Sequence, residues 1–323
     1  MTKIKLTVVI PVYNEKANIP ILYKKLKDTL QKLNRKYEII FVDDGSTDKS
    51  YEELKKLHNG NNKFIKIIKF RKNFGQSAAI YAGFLNSNGD LIVVMDSDLQ
   101  NDPSDIPKLL NKLYEGYDVV SGWRYKRKDP MSKILTSKIS NWMHRKLTGL
   151  KIHDSGCTLK VYKKEVVKDL NLYGEMHRYI PALVVSKGFK IAEVKVNHNY
   201  RKHGKSKYGG GRIVKGFLDL IYIHFLMKYA FRPLHFFGFL GLIPIVIGFM
   251  IGLYKTIQLF ILTIIQKQVL FVGPLLLFAV FLILIGILFI IFGFLAEMNV
   301  RMFYSETDKK NYEIETILYS GSK

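Results

Sequence analysis

Cysteine is nearly absent from this chain of 323 residues, and Cys157 is its one representative. No disulfide can therefore form within the chain, which is typical of proteins that fold in a reducing compartment. Acidic residues are also scarce, since 27 Asp and Glu stand against 50 Lys and Arg and give a formal net charge of +23. Such an excess favours a polyanionic partner: nucleic acid, an anionic membrane surface or a phosphorylated substrate.

Two patterns that often carry function are missing from the sequence. The glycine-rich GxGxxG fingerprint of dinucleotide-binding enzymes is absent, because residues 11–15 after the first predicted strand read Pro-Val-Tyr-Asn-Glu. The eight histidines show no spacing typical of metal ligands. A nicotinamide-dependent enzyme and a histidine-based metal site are therefore disfavoured.

Charge is missing altogether from two segments, 233–254 and 268–296, which contain 22 and 29 residues. About 20 helical residues cross the hydrocarbon core of a bilayer, so each segment predicts a transmembrane helix. Two buried helices of a soluble core are the alternative, but uncharged runs this long are rare in soluble domains. The predicted organisation is a folded domain over 1–211, an amphipathic juxtamembrane segment over 212–232, the two spans with a link over 255–267 between them, and a tail over 297–323.

The basic residues predict which side of the membrane the folded domain occupies. Between Lys195 and Arg232 there are nine Lys or Arg and one acid, Asp219. The positive-inside rule therefore places residues 1–232 and the tail in the cytoplasm, with the link on the far side. The same segment suits the anionic cytoplasmic leaflet. We expect a multi-pass protein of the cytoplasmic membrane that has the lipid bilayer as a partner.

Residues 1–110 alternate short β-branched runs with longer amphipathic stretches. Strands are predicted at 6–11, 37–42, 64–70 and 91–95, and helices at 19–33, 48–58 and 76–87. This alternation predicts an α/β fold in which crossover helices connect the strands of a parallel sheet. Functional residues in such sheets lie just beyond the carboxyl ends of the strands.

Acidic residues follow three of these predicted strands. Glu15 follows the first, Asp43 and Asp44 follow the second, and Asp96 and Asp98 follow the fourth, which is fully apolar. Two carboxylates crowded at the end of a buried strand repel each other unless a cation lies between them. Hard oxygen ligands in a partly filled shell suit Mg²⁺ or Mn²⁺ bound together with a diphosphate. A solvated turn also produces Asp-x-Asp, but the sister acids on neighbouring strands favour the metal.

Three motifs carry a resemblance to a known family: Val9–Glu15, Val42–Asp48 and Asp96–Gln100. They resemble the signatures of family 2 inverting glycosyltransferases. The further stretches 73–76, 154–157 and 203–209 are similar to the polyprenyl-phosphate branch, which includes dolichyl-phosphate mannose synthases and bacterial polyprenyl-phosphate glucosyltransferases. The resemblance implies a GT-A (Rossmann-like) α/β catalytic domain followed by a two-helix transmembrane hairpin. It also implies transfer of a hexose from a UDP- or GDP-sugar onto polyprenyl phosphate.

The resemblance implies a role for each matching residue. The residues expected to bind the nucleotide sugar are Pro11, Tyr13, Glu15, Val42, Asp44, Met95, Asp96 and Ser97. Those expected to hold Mg²⁺ or Mn²⁺ are Asp98 and Gln100. Those expected to bind the lipid phosphate are Arg124, Lys138, Arg201, Lys205 and Lys207. The implied catalytic residues are Asp96, Arg124, Lys138 and Asp154, although Asp154 is open between orienting the substrate, acting as a base and stabilising a turn.

The family more often has arginine at position 138, so Lys138 supplies a point charge in place of a bidentate grip. A lipid phosphate is already anionic near neutral pH and needs no strong base to attack the anomeric carbon. Electrostatic positioning is then expected to be the main catalytic contribution.

Two other functions fit parts of the sequence. A processive polysaccharide synthase shares the GT-A core, but it has more spans and a Gln-x-x-Arg-Trp segment, and here neither Trp123 nor Trp142 follows an arginine. A non-catalytic, membrane-tethered protein that binds polyanions agrees with the net charge. The paired carboxylates argue against it, because they repel phosphates unless a metal is present, and we expect no nucleic-acid partner. The sequence leaves the sugar, the lipid and self-association into a homo-oligomer open.

Overall fold

The structure, a computed structural model, divides the chain into two units, residues 1–223 and residues 224–323. The residues that it describes are 5–59, 64–125, 141, 145–146, 149–150, 152–168, 170, 172, 174, 176–200, 221–222, 224–225, 228–229, 232–265 and 273–306.

The first unit is built on a seven-stranded sheet with the strand order β3-β2-β1-β4-β6-β5-β7. Its strands are β1 Leu6–Val12, β2 Tyr37–Asp43, β3 Ile65–Lys69, β4 Leu91–Val94, β5 Val119–Trp123, β6 Lys160–Lys163 and β7 Ile191–Lys195. Strands β3, β2, β1 and β4 run parallel to one another, as the alternating pattern predicts. Strand β6 runs antiparallel to both β4 and β5, so the sheet is mixed, and the sequence did not predict this reversal.

Helices cover both faces of this sheet. Those of the first unit include α1 Ile19–Lys32, α2 Ser50–Asn59, α3 Gln76–Leu85, α4 Ile106–Leu113, α5 Lys164–Lys168 and α6 Ile180–Ser186, with 3₁₀ turns at Pro103–Asp105 and Met176–Arg178. Helix α1 forms because its apolar residues recur every three to four positions and are buried against the sheet; they are Ile19, Leu22, Leu26 and Leu30. Helix α3 lies so close to β1 that a Cβ at Gly83 would stand 2.2 Å from Val9 Cγ1.

The strand register brings the loops that matter to one edge of the sheet. Val12 at the end of β1 pairs with Asp43 at the end of β2. Val94 at the end of β4 pairs with Lys160 at the start of the reversed β6. Lys160 pairs in turn with Ser121, near the end of β5. The carboxyl ends of β1, β2, β4 and β5 therefore meet the amino end of β6.

The second unit contains two long apolar helices, α7 Pro233–Phe260, continued by a π-helical turn at Ile261–Ile265, and α8 Pro274–Glu306. Within them, Pro233–Thr263 and Pro274–Val300 are long and apolar enough to cross a membrane. Their outer side chains are exposed, Phe239 and Leu277 by 70% and 67%, as helices facing lipid require. Helix α7 runs six residues past the uncharged segment, so Lys255 lies inside the helix and the predicted link is helical up to Ile265.

Small residues form the contact between α7 and α8. A Cβ at Gly241 would lie 2.5 Å from the carbonyl oxygen of Gly286, and a Cβ at Gly248 would lie 2.6 Å from that of Ala279. Gly248 and Gly252 have the four-residue spacing of small residues that often pack between membrane helices. Gly248 takes part, but a Cβ at Gly252 would meet only the Ala279 Cβ, at 4.0 Å, so the spacing that packs is seven.

Candidate active site

The loops after β1 and β2 are joined by side-chain hydrogen bonds to backbone groups. Asn14, in the left-handed region at φ 55°, donates its backbone N–H to Ser46 Oγ at 3.0 Å. Its side-chain oxygen accepts the backbone N–H of Thr47 at 2.7 Å. Glu15 donates its backbone N–H to Ser50 Oγ at 2.9 Å. These bonds fix the loop that carries Tyr13 and Glu15, just after Pro11 in β1, against the loop that carries Asp44.

The Asp44 carboxylate organises the segment that leads into α3. It accepts hydrogen bonds from Asn73 Nδ2 at 2.9 Å, from the backbone N–H of Phe74 at 2.7 Å and from that of Gly75 at 3.0 Å. The residue is only 3% exposed. Three N–H groups on one buried carboxylate fix its position and that of the segment Asn73–Gly75.

Asp96 and Asp98 lie together just after β4. Both Asp96 oxygens accept hydrogen bonds at 2.7 Å, Oδ1 from Gln76 Nε2 and Oδ2 from Thr158 Oγ1. Burial, and then the negative charge of Asp98, raise the pKa of Asp96 to about 6. Asp98 is 6% exposed, and its Oδ1 accepts the backbone N–H of Gln100 at 3.1 Å. Two carboxylates this close and this buried form a site for positive charge.

Asp154 holds Arg124 at the end of β5. Arg124 Nε donates to Asp154 Oδ2 at 2.7 Å, and its terminal Nη2 donates to Oδ1 at 2.8 Å. The backbone N–H of Arg124 also reaches Oδ2, at 3.2 Å. The side chains are 16% and 4% exposed. Such a two-pronged pair fixes the plane of the guanidinium as well as its position.

The loop from Asp154 to Lys160 connects this ion pair to the acid pair. Thr158 bonds to Asp96, and the fully buried Lys160 folds back to donate to the carbonyl oxygens of Ser155, at 3.2 Å, and Cys157. Burial lowers the pKa of Lys160. Together with Gly75 and Gln76, which bond to Asp44 and Asp96, this loop makes one continuous network from Asp44 to Arg124.

A partly buried histidine lies beside this loop. His177 Nδ1 is 2.8 Å from Ser77 Oγ on α3, and the backbone N–H of His177 donates to the same oxygen at 3.1 Å. Burial, with the positive charges of Arg178 and Lys160, lowers the pKa of His177 to about 3. The imidazole is therefore neutral at physiological pH.

The amino-acid sequence of this domain matches a known family over residues 7–170, described as "Glycosyl transferase family 2". The chain belongs to glycosyl transferase family 2. The family resemblance of the three strand-end motifs is thereby confirmed.

Two relatives of this family 2 chain are similar over nearly their whole length. The dodecaprenyl-phosphate galacturonate synthase of Rhizobium johnstonii is 38% identical, over 99% of this chain and 95% of that protein. The undecaprenyl-phosphate 4-deoxy-4-formamido-L-arabinose transferase of Photorhabdus laumondii is 35% identical, over 97% of this chain and 94% of that protein.

A solved structure supports the GT-A fold of the family 2 domain. Glucosyl-3-phosphoglycerate synthase of Mycobacterium tuberculosis, in complex with Mn²⁺, UDP-glucose and phosphoglyceric acid, superposes with a TM-score of 0.52. The match covers 72% of this chain and 83% of that chain, at 17% sequence identity. At that identity the likeness concerns the fold alone.

The structure brings most of the predicted site residues together at one edge of the sheet; those it describes there are Pro11, Tyr13, Glu15, Val42, Asp44, Met95, Asp96, Ser97, Asp98, Gln100, Arg124 and Asp154. Ser97 Oγ donates to the carbonyl oxygen of Pro11 at 2.9 Å, which ties the third motif to the first. The remaining predicted residues, Lys138, Arg201, Lys205 and Lys207, lie outside the described residues.

Sequence reasoning missed several residues that hold this site in place. Gln76, Thr158 and Lys160 were given no role, although two of them lie in or beside stretches that carried the family resemblance. For Lys160 the sequence did contain a signal. It is a charged residue directly before the apolar pair Val161–Tyr162, and a lysine buried there needs polar partners.

Proposed function

We propose that this chain transfers a sugar from a nucleotide-diphosphate sugar to the phosphate of a polyprenyl lipid, at the cytoplasmic face of a membrane. The observation that carries the proposal is the loop Asp154–Thr158. It ties the acid pair Asp96 and Asp98, which suits a cation, to Arg124, which suits a phosphate. The two relatives named above, which share 38% and 35% identity with this chain, support it because both names specify a polyprenyl phosphate.

The donor side of the proposed site uses the loops after β1, β2 and β4. Glu15 and Asp44 are buried carboxylates at 7% and 3% exposure, suited to accept hydrogen bonds from a base or a ribose. Pro11 and Tyr13 would line the same pocket. The backbone groups of Val42, Met95 and Ser97 would contact the nucleotide, because the side chains of these three residues are buried in the protein.

The residues after β4 fit a divalent cation. The two carboxylates are buried together, and burial, followed by the negative charge of Asp98, raises the pKa of Asp96. No cluster of three His, Cys, Asp or Glu lies within the described residues, so ligand oxygens would have to complete the shell. Asp98 and Gln100 would hold Mg²⁺ or Mn²⁺, which supplies positive charge to the leaving diphosphate. The M. tuberculosis synthase was crystallised with Mn²⁺ and UDP-glucose, which supports this choice.

The acceptor side of the proposed site is cationic. Arg124 would bind the lipid phosphate, together with Lys138, Arg201, Lys205 and Lys207 from the basic segments of the sequence. Asp154 already engages Arg124 through both carboxylate oxygens, so we assign it to orienting the guanidinium in place of acting as a base. An anionic phosphate oxygen needs no base, and correct placement of that oxygen lowers the barrier. Asp96 would contact the donor sugar.

We propose a hexose-type donor and leave the nucleotide to experiment. The relatives carry different sugars in their names, a galacturonate and a 4-deoxy-4-formamido-L-arabinose. Family membership therefore does not fix the sugar, which depends on the shape of the pocket that faces Asp96.

The test is a transfer assay with the purified full chain in detergent. Radiolabelled nucleotide sugars are offered with undecaprenyl phosphate: UDP-glucose, UDP-galacturonate, GDP-mannose and the UDP-linked formamido-arabinose. We expect one of them to give a butanol-extractable sugar lipid in the presence of Mn²⁺ or Mg²⁺, and none with EDTA. Binding of nucleotide sugar without turnover, across the whole panel and with both metals, would instead support a non-catalytic binding protein.

A further inference from the structure

Glu193 on β7 lies behind the Arg124–Asp154 pair, and the sequence motifs gave it no role. Its carboxylate accepts the backbone N–H of Asp154 at 2.8 Å and that of His153 at 3.0 Å, both on Oε1. Its Oε2 accepts the same His153 N–H at 2.9 Å and lies 2.9 Å from His153 Nδ1. Three nitrogen groups of two consecutive residues thus converge on one carboxylate.

This contact matters because His153 and Asp154 lie in a loop between strands. No ladder of strand hydrogen bonds fixes the direction of the Asp154 side chain. Glu193 supplies that constraint from a strand, and its side chain is only 10% exposed. Backbone N–H groups bonded to a buried carboxylate form charge-assisted bonds, which are stronger and more directional than neutral ones.

An aromatic stack holds the same loop from a second direction. The His153 ring lies on the Trp123 ring with 4.3 Å between centroids and 13° between planes. Trp123 directly precedes Arg124, just as His153 directly precedes Asp154. Two neighbouring pairs, one stacked and one ionic, therefore set the loop against the end of β5.

We infer that Glu193 is a positioning residue for acceptor binding: it orients Asp154 through the backbone, and Asp154 orients the Arg124 guanidinium toward the lipid phosphate. The inference rests on the proposed function. A guanidinium binds a phosphate through N–H donors that lie in one plane. If Asp154 rotates, that plane is no longer held, and phosphate binding weakens although the positive charge of Arg124 is still present.

The test compares four variants in the transfer assay: Glu193→Ala, Glu193→Gln, Arg124→Ala and the double variant Arg124→Ala/Glu193→Ala. We expect Glu193→Ala to raise the apparent KM for polyprenyl phosphate about tenfold, with the KM for the nucleotide sugar within about twofold of wild type. Glu193→Gln keeps one acceptor oxygen and should recover part of the loss. In the Arg124→Ala background, Glu193→Ala should add less than about twofold, because it acts through the absent guanidinium.

Asp118→Ala is the matched control. Asp118 precedes β5 at its opposite end and likewise accepts a backbone N–H, that of Lys190 at 2.8 Å, and the ammonium of Lys163 at 2.6 Å. Asp118 stabilises β6 and the start of β7 but does not contact Arg124. Its loss should therefore lower the thermal midpoint and leave the lipid KM unchanged. Thermal midpoints of all variants are measured in the same detergent.

Three results would overturn the inference. One is an unchanged lipid KM in Glu193→Ala. Another is a full additional loss in the double variant, and the third is an equal rise in lipid KM for Asp118→Ala. If the wild-type chain itself transfers no sugar to the lipid, the proposed function fails and not this inference alone.

Discussion

The two halves of the sheet hold their charged side chains in different ways. In the parallel half, β3-β2-β1-β4, the carboxylates of Asp44 and Asp96 accept from backbone N–H groups, side-chain amides and a hydroxyl. In the mixed half, β6-β5-β7, charge meets opposite charge, as in Arg124 with Asp154 and Lys163 with Asp118. Neutral donors leave the negative charge of the first half in place, where it suits a cation. In the second half, Asp154 holds the Arg124 guanidinium in a fixed orientation at the site edge, which suits a phosphate, whereas Lys163 and Asp118 lie at the opposite edge.

The largest effect should come from the acid pair of the parallel half. We expect Asp98→Asn to lower kcat by at least about 100-fold, the order associated with lost electrostatic stabilisation of a transition state. The thermal midpoint should hardly change, because the amide keeps the shape of the carboxylate. Turnover is measured against Mn²⁺ concentration. Full activity with unchanged metal dependence would contradict the assignment of Asp98 to the metal.

In the mixed half, Arg124→Ala should act on the lipid substrate. A charge-assisted hydrogen bond contributes about 1.5–3 kcal/mol, so we expect the apparent KM for polyprenyl phosphate to rise roughly 10- to 100-fold. UDP or GDP affinity, measured by calorimetry without lipid, should stay near the wild-type value. A large loss of nucleotide affinity would show that Arg124 serves the donor, and the contrast between the halves would then be wrong.

The converse variant is Asp44→Asn in the parallel half. In the variant an NH₂ group replaces one of the oxygens that accept hydrogen bonds from the segment Asn73–Gly75. At least one of these bonds is then lost, and the segment is held less firmly. We expect nucleotide affinity to fall about tenfold and the lipid KM to change by less than about twofold. Equal effects on both substrates would mean that the two halves are not functionally separate.

The stability of the fold should depend on pH through the hydrogen bond between His177 and Ser77, which joins a turn beside the mixed half to α3. The folded pKa of His177 is about 3, against about 6.5 when unfolded, with Arg178 and Lys160 as the nearby cations. Between pH 6.5 and pH 3 the unfolded chain binds a proton at His177 and the folded chain does not. The contribution of His177 to the free energy of unfolding is therefore fully present above pH 6.5 and is lost as the pH falls toward 3. At pH 5 the loss should be on the order of 2 kcal/mol.

His177→Gln provides the comparison, since glutamine can bond to Ser77 but carries no titrating proton. Its unfolding midpoint, measured in detergent at pH 7 and pH 5, should fall less on acidification than that of the wild type. Identical pH dependence for the two proteins would show that the imidazole does not stay neutral when folded.

The parallel half was predictable from sequence and the mixed half was not, for a physical reason. The strands and helices of residues 6–95 follow local patterns of apolar residues, and their functional acids come directly after apolar strands. Strand β6 has only four residues, and its reversal is decided by pairing with Leu91–Val94, far away in the chain. Glu193 is equally hidden, because its partners lie 39 and 40 residues earlier. Contacts at that separation leave no periodic signal.

The hairpin of α7 and α8 was also predictable from sequence only in part. Two uncharged segments sufficed to predict both helices, but neither their ends nor their contact followed from composition. Helix α8 begins at Pro274, six residues into the uncharged run, because proline is favoured at the first position of a helix. The contact depends on which glycine faces which carbonyl, and that requires both helices at once.

The small residues of this contact also determine where the hairpin tolerates change over evolutionary time. Gly241 faces Gly286 and Gly248 faces Ala279, so a step of seven along one helix is matched by a step of seven back along the other. Gly293 lies against Phe237 and Leu234. The outward positions are free to exchange one apolar residue for another as membranes change. The inward ones are constrained in pairs, because any enlargement at one site must be offset at its partner.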